Sequence, residues 1–192
     1  KISVVIRLLL LSQTGIFQTL DPLVPMDFAI PYELNVPFWS DGASKDRWMI
    51  IPNDGIHDTP SEQIHYTDRG DWLFPTGSVF VKHFELPVDE TNPGVVKKLE
   101  TRFLIHGDDG RYYGLTYRWN ESQDEAFLLA ENQTDTLQIQ TAMGAKKIHW
   151  YFPSRGECLD CHNEGALQVL GPKTRQLHKA ISYPITGRTA NQ

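Results

Sequence analysis

The chain has 192 residues, of which 40% are hydrophobic and 11% aromatic, enough for one globular domain, or one domain with a small appended unit, to bury a core without disulfides. Its net charge of −6 argues against nucleic acid or an anionic membrane surface as the main partner. The apolar run within residues 1–12 is interrupted by Arg7 and is too short to span a bilayer, so we expect no membrane span and interpret this run as an element packed on the core.

Residues from about 46 to 152 alternate short runs rich in Val, Ile, Thr and aromatic residues with Pro, Gly and Asp. This pattern is typical of β-strands separated by turns. The predicted strands are residues 48–51, 78–86, 99–106, 112–119, 137–141 and 147–152. Residues 123–130 fit either a short helix or a strand, because their apolar residues are too tightly clustered to decide.

The clearest strand pair flanks the turn at residues 107–110 (GDDG). A two-residue loop would place the large residues of the second strand on different faces. We therefore predict a three-residue loop, residues 108–110, with Gly110 in the left-handed conformation. The resulting register pairs Ile105 with Tyr113 and Phe103 with Leu115, makes one face continuously apolar, and continues with Thr101 beside Tyr117 and Leu99 beside Trp119.

The sequence changes character after Pro153. Ser154 can cap a helical turn over residues 155–162, and a second helix is predicted over residues 173–181, with Pro172 near its start. The prediction is an α+β fold. Residues 1–152 form an antiparallel, sandwich-like β-rich domain, and residues 153–192 form a short helical segment that belongs to the same compact unit.

Both cysteines of the chain lie in one pentapeptide, residues 158–162 (CLDCH). This C-x-x-C-H spacing is the attachment pattern of haem c, in which each thiol adds to one porphyrin vinyl group and the adjacent imidazole binds the iron. A thiol redox pair would be expected in a βαβ context, and a structural zinc site would need further ligands. Neither context is evident. We predict one covalent haem c on Cys158 and Cys161, with His162 as the proximal iron ligand.

Three further features of the chain could complete a haem site. Arg155 is the preferred partner of a haem propionate, ahead of Arg102 and Arg118, because a guanidinium matches a carboxylate and Arg155 is close to the motif. The carbonyl of Pro172 is expected to accept a hydrogen bond from His162, as the carbonyl of a Gly-Pro pair does in small class I cytochromes. The tryptophans are interpreted as core or haem-wall residues, namely Trp39, Trp48, Trp72, Trp119 and Trp150.

The distal side of the iron has several candidate ligands. No methionine follows Cys161 in the sequence, so the usual downstream ligand is missing. We favour His149 or Met143, which lie just upstream of the motif. The other candidates are His178, His57, His65, His83 and His106. The alternatives are an open five-coordinate iron, or a ligand supplied by another chain in a multi-subunit assembly or by a segment missing from this sequence.

Several other blocks accompany the motif in a fixed order. They are residues 11–17 (LSQTGIF), 31–43 (PYELNVPFWSDGA), 45–48 (KDRW), 72–77 (WLFPTG), 100–102 (ETR), 117–120 (YRWN), 152–155 (FPSR) and 170–172 (LGP). This order resembles a family of bacterial secreted or periplasmic c-type cytochromes, some members of which are fused to dehydrogenase-like or further cytochrome domains. The resemblance covers nearly the whole chain and implies haem c and an electron-transfer setting.

The leading hypothesis is an electron carrier rather than an enzyme. The sequence has no Gly-rich phosphate loop, no G-x-S-x-G elbow and no H-E-x-x-H motif. The expected location is periplasmic or extracellular, because haem c is attached outside the cytoplasmic membrane, and the expected partner is a dehydrogenase or another cytochrome. Two alternatives stay open: a peroxidase-like haem enzyme or small-ligand sensor with an open distal site, and a β-sandwich binding module with a pendant haem.

Overall fold

The protein is described by a computed structural model that covers residues 9–56 and 58–192. Its strands are β1 (Phe17–Leu20), β2 (Leu23–Pro25), β3 (Ile30–Pro31), β4 (Ser44–Ile50), β5 (Val79–Pro87), β6 (Val96–His106), β7 (Tyr112–Trp119), β8 (Ala126–Leu128), β9 (Gln133–Thr141), β10 (Gly144–Phe152), β11 (Ala180–Tyr183) and β12 (Arg188–Asn191). Its helices are α1 (Cys158–Cys161), α2 (Thr174–Leu177) and the 3-10 turns Leu11–Thr14, Pro60–Glu62 and Glu164–Ala166. None of the helices in this part of the chain is long and apolar enough to cross a bilayer.

The central element is a six-stranded sheet with the order β3-β4-β5-β6-β7-β8. Every pair in it is antiparallel and joins strands that follow each other in the sequence. Three two-stranded hairpins, β1–β2, β9–β10 and β11–β12, surround it. The prediction of a β-rich fold with antiparallel sheets and few helices is confirmed, and residues 123–130 contribute the short edge strand β8.

The predicted register of the β6–β7 hairpin is confirmed. Ile105 lies opposite Tyr113 and Phe103 lies opposite Leu115. The turn closes through a hydrogen bond from the Gly110 amide to the Gly107 carbonyl, 2.9 Å long, and Gly110 has a φ of 74°. A type I turn followed by a left-handed glycine matches the right-handed twist of the strands, which is why local sequence is sufficient to set this register.

Gly110→Val is expected to destabilise the fold by about 1–2 kcal/mol, because a β-branched residue is strained at positive φ. No atom lies within 4 Å of a Cβ built at this position, so the loss would come from the backbone alone. Urea unfolding measures it, with Asp108→Ala in the same turn as the control. Equal stabilities of the two variants would contradict the assigned conformation.

The two faces of the sheet are covered by different parts of the chain. On one face, Trp48, Val81 and Phe103 pack against Leu11 and Phe17 of the N-terminal segment. The opposite face carries Met49, Phe80 and Leu104, which pack against Val169 and Leu177 of the C-terminal segment. At one end of the sheet, the β9–β10 hairpin adds Leu137, Ile139 and Trp150 to a third cluster that includes Phe84. The sheet is therefore the middle layer of the molecule.

One detail of the C-terminal segment differs from the prediction. The predicted helix over residues 173–181 ends at Leu177, because residues 180–183 form β11 and pair with β12. The β-branched Ile181 is buried in that strand. Val169 and Leu177 belong to the same cluster as Phe80, so residues from both predicted units contribute to one core.

Candidate functional site

The C-x-x-C-H segment is anchored by the glutamate that precedes it. The chain leaves β10 at Phe152, makes a turn over residues 155–157 and enters α1 at Cys158. The Glu157 carboxylate accepts hydrogen bonds from the Ser154 amide and from the Ser154 hydroxyl, each at 2.7 Å. It also accepts bonds from the Tyr151 hydroxyl and from the Asn132 amide. Ser154 thus donates to a carboxylate at the start of this turn, which fixes the position of the motif relative to β10.

These contacts predict a pH-dependent stability. They hold the pKa of Glu157 at about 2, below its ordinary value of 4.5, with the Tyr151 hydroxyl as the largest cause. The unfolded chain therefore binds this proton more tightly, so the stabilisation is complete above the ordinary pKa and is lost as the pH falls toward 2. Glu157→Gln is expected to lower the urea midpoint at about pH 7 and to match the parent at about pH 2.

The control for that comparison is Glu131→Gln, at an exposed position in the neighbouring loop. It is expected to leave the urea midpoint unchanged at both pH values. A Glu157→Gln protein that differs from the parent by the same amount at both pH values would contradict the role given to these hydrogen bonds.

Helix α1 lies directly against β7 at a glycine. A Cβ at Gly114 would be 2.4 Å from both Cβ and Sγ of Cys158, so only glycine permits this approach. Cys158 and Cys161 are free thiols. Burial raises the pKa of the Cys158 thiol, and the nearby Arg102 partly opposes this shift.

Both thiols and the His162 imidazole line one cavity of about 330 Å³, which we call the motif cavity. Its floor is the sheet face that carries Phe80, Phe84 and Leu104, and its rim includes the loop at residues 38–40. The remaining lining residues come from neighbouring strands and from the C-terminal segment, namely Tyr32, Val81, Lys82, Arg102, Phe103, Gly114, Pro153, Glu157, Val169 and Leu170. The cavity is thus largely apolar and aromatic, with Lys82 and Arg102 as its cationic groups.

The orientation of the His162 ring is fixed by a backbone carbonyl. Nδ1 lies 2.7 Å from the carbonyl oxygen of Gln168. Because a carbonyl only accepts, Nδ1 carries the proton and Nε2 of the neutral ring keeps its lone pair, the state that binds a metal. Burial lowers the pKa of His162, and the Gln168 carbonyl partly opposes this, so the ring is neutral at pH 7.

The assignment of that carbonyl to Pro172 was wrong. Leu167 and Gln168 have positive φ values of 48° and 65°, and this local left-handed turn brings the Gln168 carbonyl back to the imidazole. With its amide in the rotated orientation, the Gln168 side chain also donates to the His162 carbonyl at 2.7 Å. Pro172 is instead fully buried just before α2.

A row of cations crosses the sheet beside the cavity. Arg47 on β4 lies opposite Lys82 on β5, which lies opposite Arg102 on β6. Arg102 donates two hydrogen bonds to the buried Glu100 carboxylate, from Nε at 2.9 Å and from Nη2 at 2.5 Å. Trp150 Nε1 donates to the same carboxylate at 3.1 Å. Burial, with a further contribution from the nearby Arg47 charge, lowers the pKa of Lys82 to about 8.

The structure does not bring the favoured distal ligands to this cavity. Met143 is 99% exposed at the tip of the β9–β10 hairpin. His149 is exposed on β10 and hydrogen-bonds to Thr136 at 3.1 Å. Among the described residues that line the cavity, His162 is the only histidine and there is no methionine. The positions of these two side chains therefore give no support to the prediction of His149 or Met143 as the distal ligand.

The remaining histidines are placed elsewhere. His83 is fully buried on the opposite face of the sheet, where Nδ1 lies 2.8 Å from the Thr101 hydroxyl. His106 stacks on Tyr112 at 4.2 Å. His65 pairs with Leu73 in a bridge, and His178 lies near Asn191. His57 lies outside the described residues.

Arg155 lies away from the motif cavity, so its predicted pairing with a haem propionate gains no support. Its guanidinium lies over the Tyr113 ring at 4.8 Å and is absent from the described lining of the motif cavity. Arg118 pairs with Asp135 at 2.8 Å. Of the arginines considered, Arg102 is the one that lines the cavity, because β6 places it on the floor while Arg155 precedes α1 on its outer side.

The tryptophans divide into two groups. Trp48, Trp119 and Trp150 are buried in the core, and Trp72 packs at the margin of a core cluster, as expected. Trp39 is 81% exposed and lies on the rim of the motif cavity.

Three contributors to the site were missed in the sequence: Gly114, Lys82 and Gln168. A glycine within a run of strand-forming residues was the one available signal, since it often marks a close approach of another segment.

Among the described residues, no group of three or more His, Cys, Asp and Glu side chains could hold a metal ion. A comparison of the chain with protein-family models, with curated proteins and with solved structures finds no match, so its function must be inferred from the site itself.

Proposed function

We propose that this protein is a c-type cytochrome that binds one covalent haem c in the motif cavity and carries electrons. The observation that carries the proposal is the convergence of Cys158, Cys161 and His162 on one cavity, with both thiols free and the imidazole held in the metal-binding tautomer. The resemblance of the surrounding sequence blocks to secreted cytochromes points the same way.

The residues of the cavity fit this group. Cys158 and Cys161 would carry the thioether bonds, and His162 Nε2 would bind the iron. Phe80, Phe84 and Leu104 offer apolar contact to a porphyrin. When bound, the haem supplies one-electron chemistry at iron, while the hydrogen bond from His162 to Gln168 increases the electron density on the ligand and helps to set the potential.

The partner of an electron carrier would be a dehydrogenase or another cytochrome. A chain with a net charge of −6 suits a partner with a basic surface, and such an association is transient and weakened by salt. Covalent haem attachment also implies a periplasmic or extracellular location, where haem c is fitted to reduced thiols.

A second candidate function is the binding of a small ligand at an open iron. It is favoured by the lining of the cavity, in which no described histidine or methionine accompanies His162. An iron with one axial ligand from the protein would bind carbon monoxide or cyanide and could support peroxide chemistry. A low-spin electron carrier would instead need its distal ligand from another chain or from a different side chain of the cavity.

Absorption spectroscopy separates these functions. The purified protein is expected to show haem bands that sharpen on reduction with dithionite. Spectra that are indifferent to carbon monoxide and cyanide would favour electron transfer, and rapid spectral shifts with either ligand would favour the sensor or enzyme. A colourless protein that remains colourless after expression with a haem c maturation system would contradict both.

A further inference from the structure

A second cavity of about 690 Å³ adjoins the motif cavity. The two share Tyr32, Phe38, Trp39 and Ser40, so they meet beneath the loop at residues 38–40. The second cavity contains both charges and aromatic surface: Arg47 and Lys45 come from β4, and Trp39 and Phe38 form the rim. A group bound where the two cavities meet would therefore contact residues of both.

Arg47 lines the second cavity and has an unsatisfied guanidinium edge. The residue is 6% exposed, and its Nε and Nη2 atoms are buried without a hydrogen-bond partner. Only Nη1 is bonded, to the Lys45 carbonyl at 3.2 Å. A buried polar group without a partner is unfavourable, and such a group in a native protein indicates an acceptor still to be supplied.

The two unpaired atoms identify the kind of acceptor. Nε and Nη2 together form the side edge of the guanidinium, the same edge through which Arg102 holds the Glu100 carboxylate in this protein. Two parallel N–H groups on one planar edge match the two oxygens of a carboxylate. An acceptor with a single oxygen would leave one of them unpaired.

The neighbouring cations also favour an anionic acceptor. Arg47 and Lys82 lie directly opposite each other on adjacent strands, a placement that is destabilising for like charges. Glu100, the carboxylate on the same sheet face, is engaged by Arg102 and Trp150. None of the ion pairs formed within the described residues includes Arg47 or Lys82. An anion between the Arg47 and Lys82 side chains would offset the positive charge of this row of cations.

We propose that Arg47 and Lys82 bind a carboxylate at the junction of the two cavities. The carboxylate has two possible sources. One is a propionate of the haem, and this version rests on the proposed function. The other is a small organic acid with a flat apolar body, for which Trp39, 81% exposed, and Phe38, 45% exposed, supply contact surface.

The test uses the purified full-length protein and two readouts. The first is calorimetric titration with benzoate, a flat aromatic carboxylate, with benzyl alcohol as the uncharged control. The second is the midpoint potential of the haem. Both quantities are measured for the parent, for Arg47→Gln and for Arg118→Gln. Arg118→Gln is the control, because it removes an equal charge from the same sheet, but Arg118 lies outside both cavities and pairs with Asp135.

The two sources give different results. If the carboxylate belongs to a free acid, the parent binds benzoate but not benzyl alcohol, and Arg47→Gln weakens binding by at least about tenfold while Arg118→Gln does not. If the carboxylate is a propionate, the haem-loaded parent does not bind benzoate. Arg47→Gln then lowers the midpoint potential of the haem, because an unneutralised carboxylate stabilises the ferric state. Arg118→Gln then leaves the potential unchanged.

A parent that does not bind benzoate, together with an Arg47→Gln protein that matches Arg118→Gln in potential, would overturn the inference. If the protein contains no haem after expression with a haem c maturation system, the proposed function fails, and the benzoate titration alone decides whether the carboxylate site exists. If Arg47→Gln does not fold, Lys82→Gln replaces it in both measurements, with the same expected directions.

Discussion

Gly114→Val is expected to abolish covalent haem loading and to lower the free energy of unfolding by about 1–3 kcal/mol. The first atom added at this position would lie 2.4 Å from Cys158, so α1 must move away from β7. That movement would take Cys158 out of the cavity that it shares with Cys161 and His162. The ratio of haem to protein after purification measures the first effect, and urea unfolding measures the second.

The matched control is Gly156→Ala, which lies two residues before the motif and has no atom within 4 Å of an added Cβ. It is expected to load haem normally and to keep its stability. A Gly114→Val protein that loads haem as well as Gly156→Ala would show that close contact between α1 and β7 is not needed for the site.

Glu100→Gln is expected to destabilise the protein by about 3 kcal/mol, the lower end of the range for breaking a buried ion pair, because the Arg102 side chain is 31% exposed. Burial raises the pKa of Glu100, and the Arg102 charge, together with its two hydrogen bonds, opposes this shift. Their geometry indicates an ionised carboxylate. Its loss would leave the Arg102 charge uncompensated beside Lys82. Urea unfolding at neutral pH measures the change.

Asp135→Asn provides the comparison for that experiment. Asp135 on β9 and Arg118 on β7 form an ion pair at 2.8 Å, but both side chains are partly exposed. The expected loss is therefore at most about 1 kcal/mol. Equal losses for the two variants, or a Glu100→Gln protein as stable as the parent, would indicate that Glu100 is neutral in the fold.

The elements of the fold that depend on local sequence were predicted well. The β6–β7 register follows from the turn at residues 107–110 and from the alternation of Phe103 and Ile105, both of which are readable within about twenty residues. The row of Arg47, Lys82 and Arg102 could not be predicted in the same way. It depends on how β4 pairs with β5 across the long segment between them, and on a shift in the β5–β6 register after Phe84.

Two differences between the expected site and the structure have separate physical origins. His149 was favoured because it precedes the motif closely, but it alternates with the buried Trp150 along β10 and therefore points to the opposite side of the strand. Strand alternation alone would have revealed this. The carbonyl at His162 comes from Gln168 rather than Pro172 because Leu167 and Gln168 have left-handed φ values. Neither residue is glycine, so the sequence carries no clear signal for this conformation.

The most direct test of the proposed function is the intact mass of the purified protein under denaturing conditions, after expression with a haem c maturation system. The proposal predicts a mass greater than that of the polypeptide by one haem, with no free thiol left to alkylate. Cys158→Ala and Cys161→Ala should each retain at most a single thioether bond. A mass equal to that of the polypeptide alone, with both thiols available for alkylation, would contradict the assignment of Cys158, Cys161 and His162 as a haem c site.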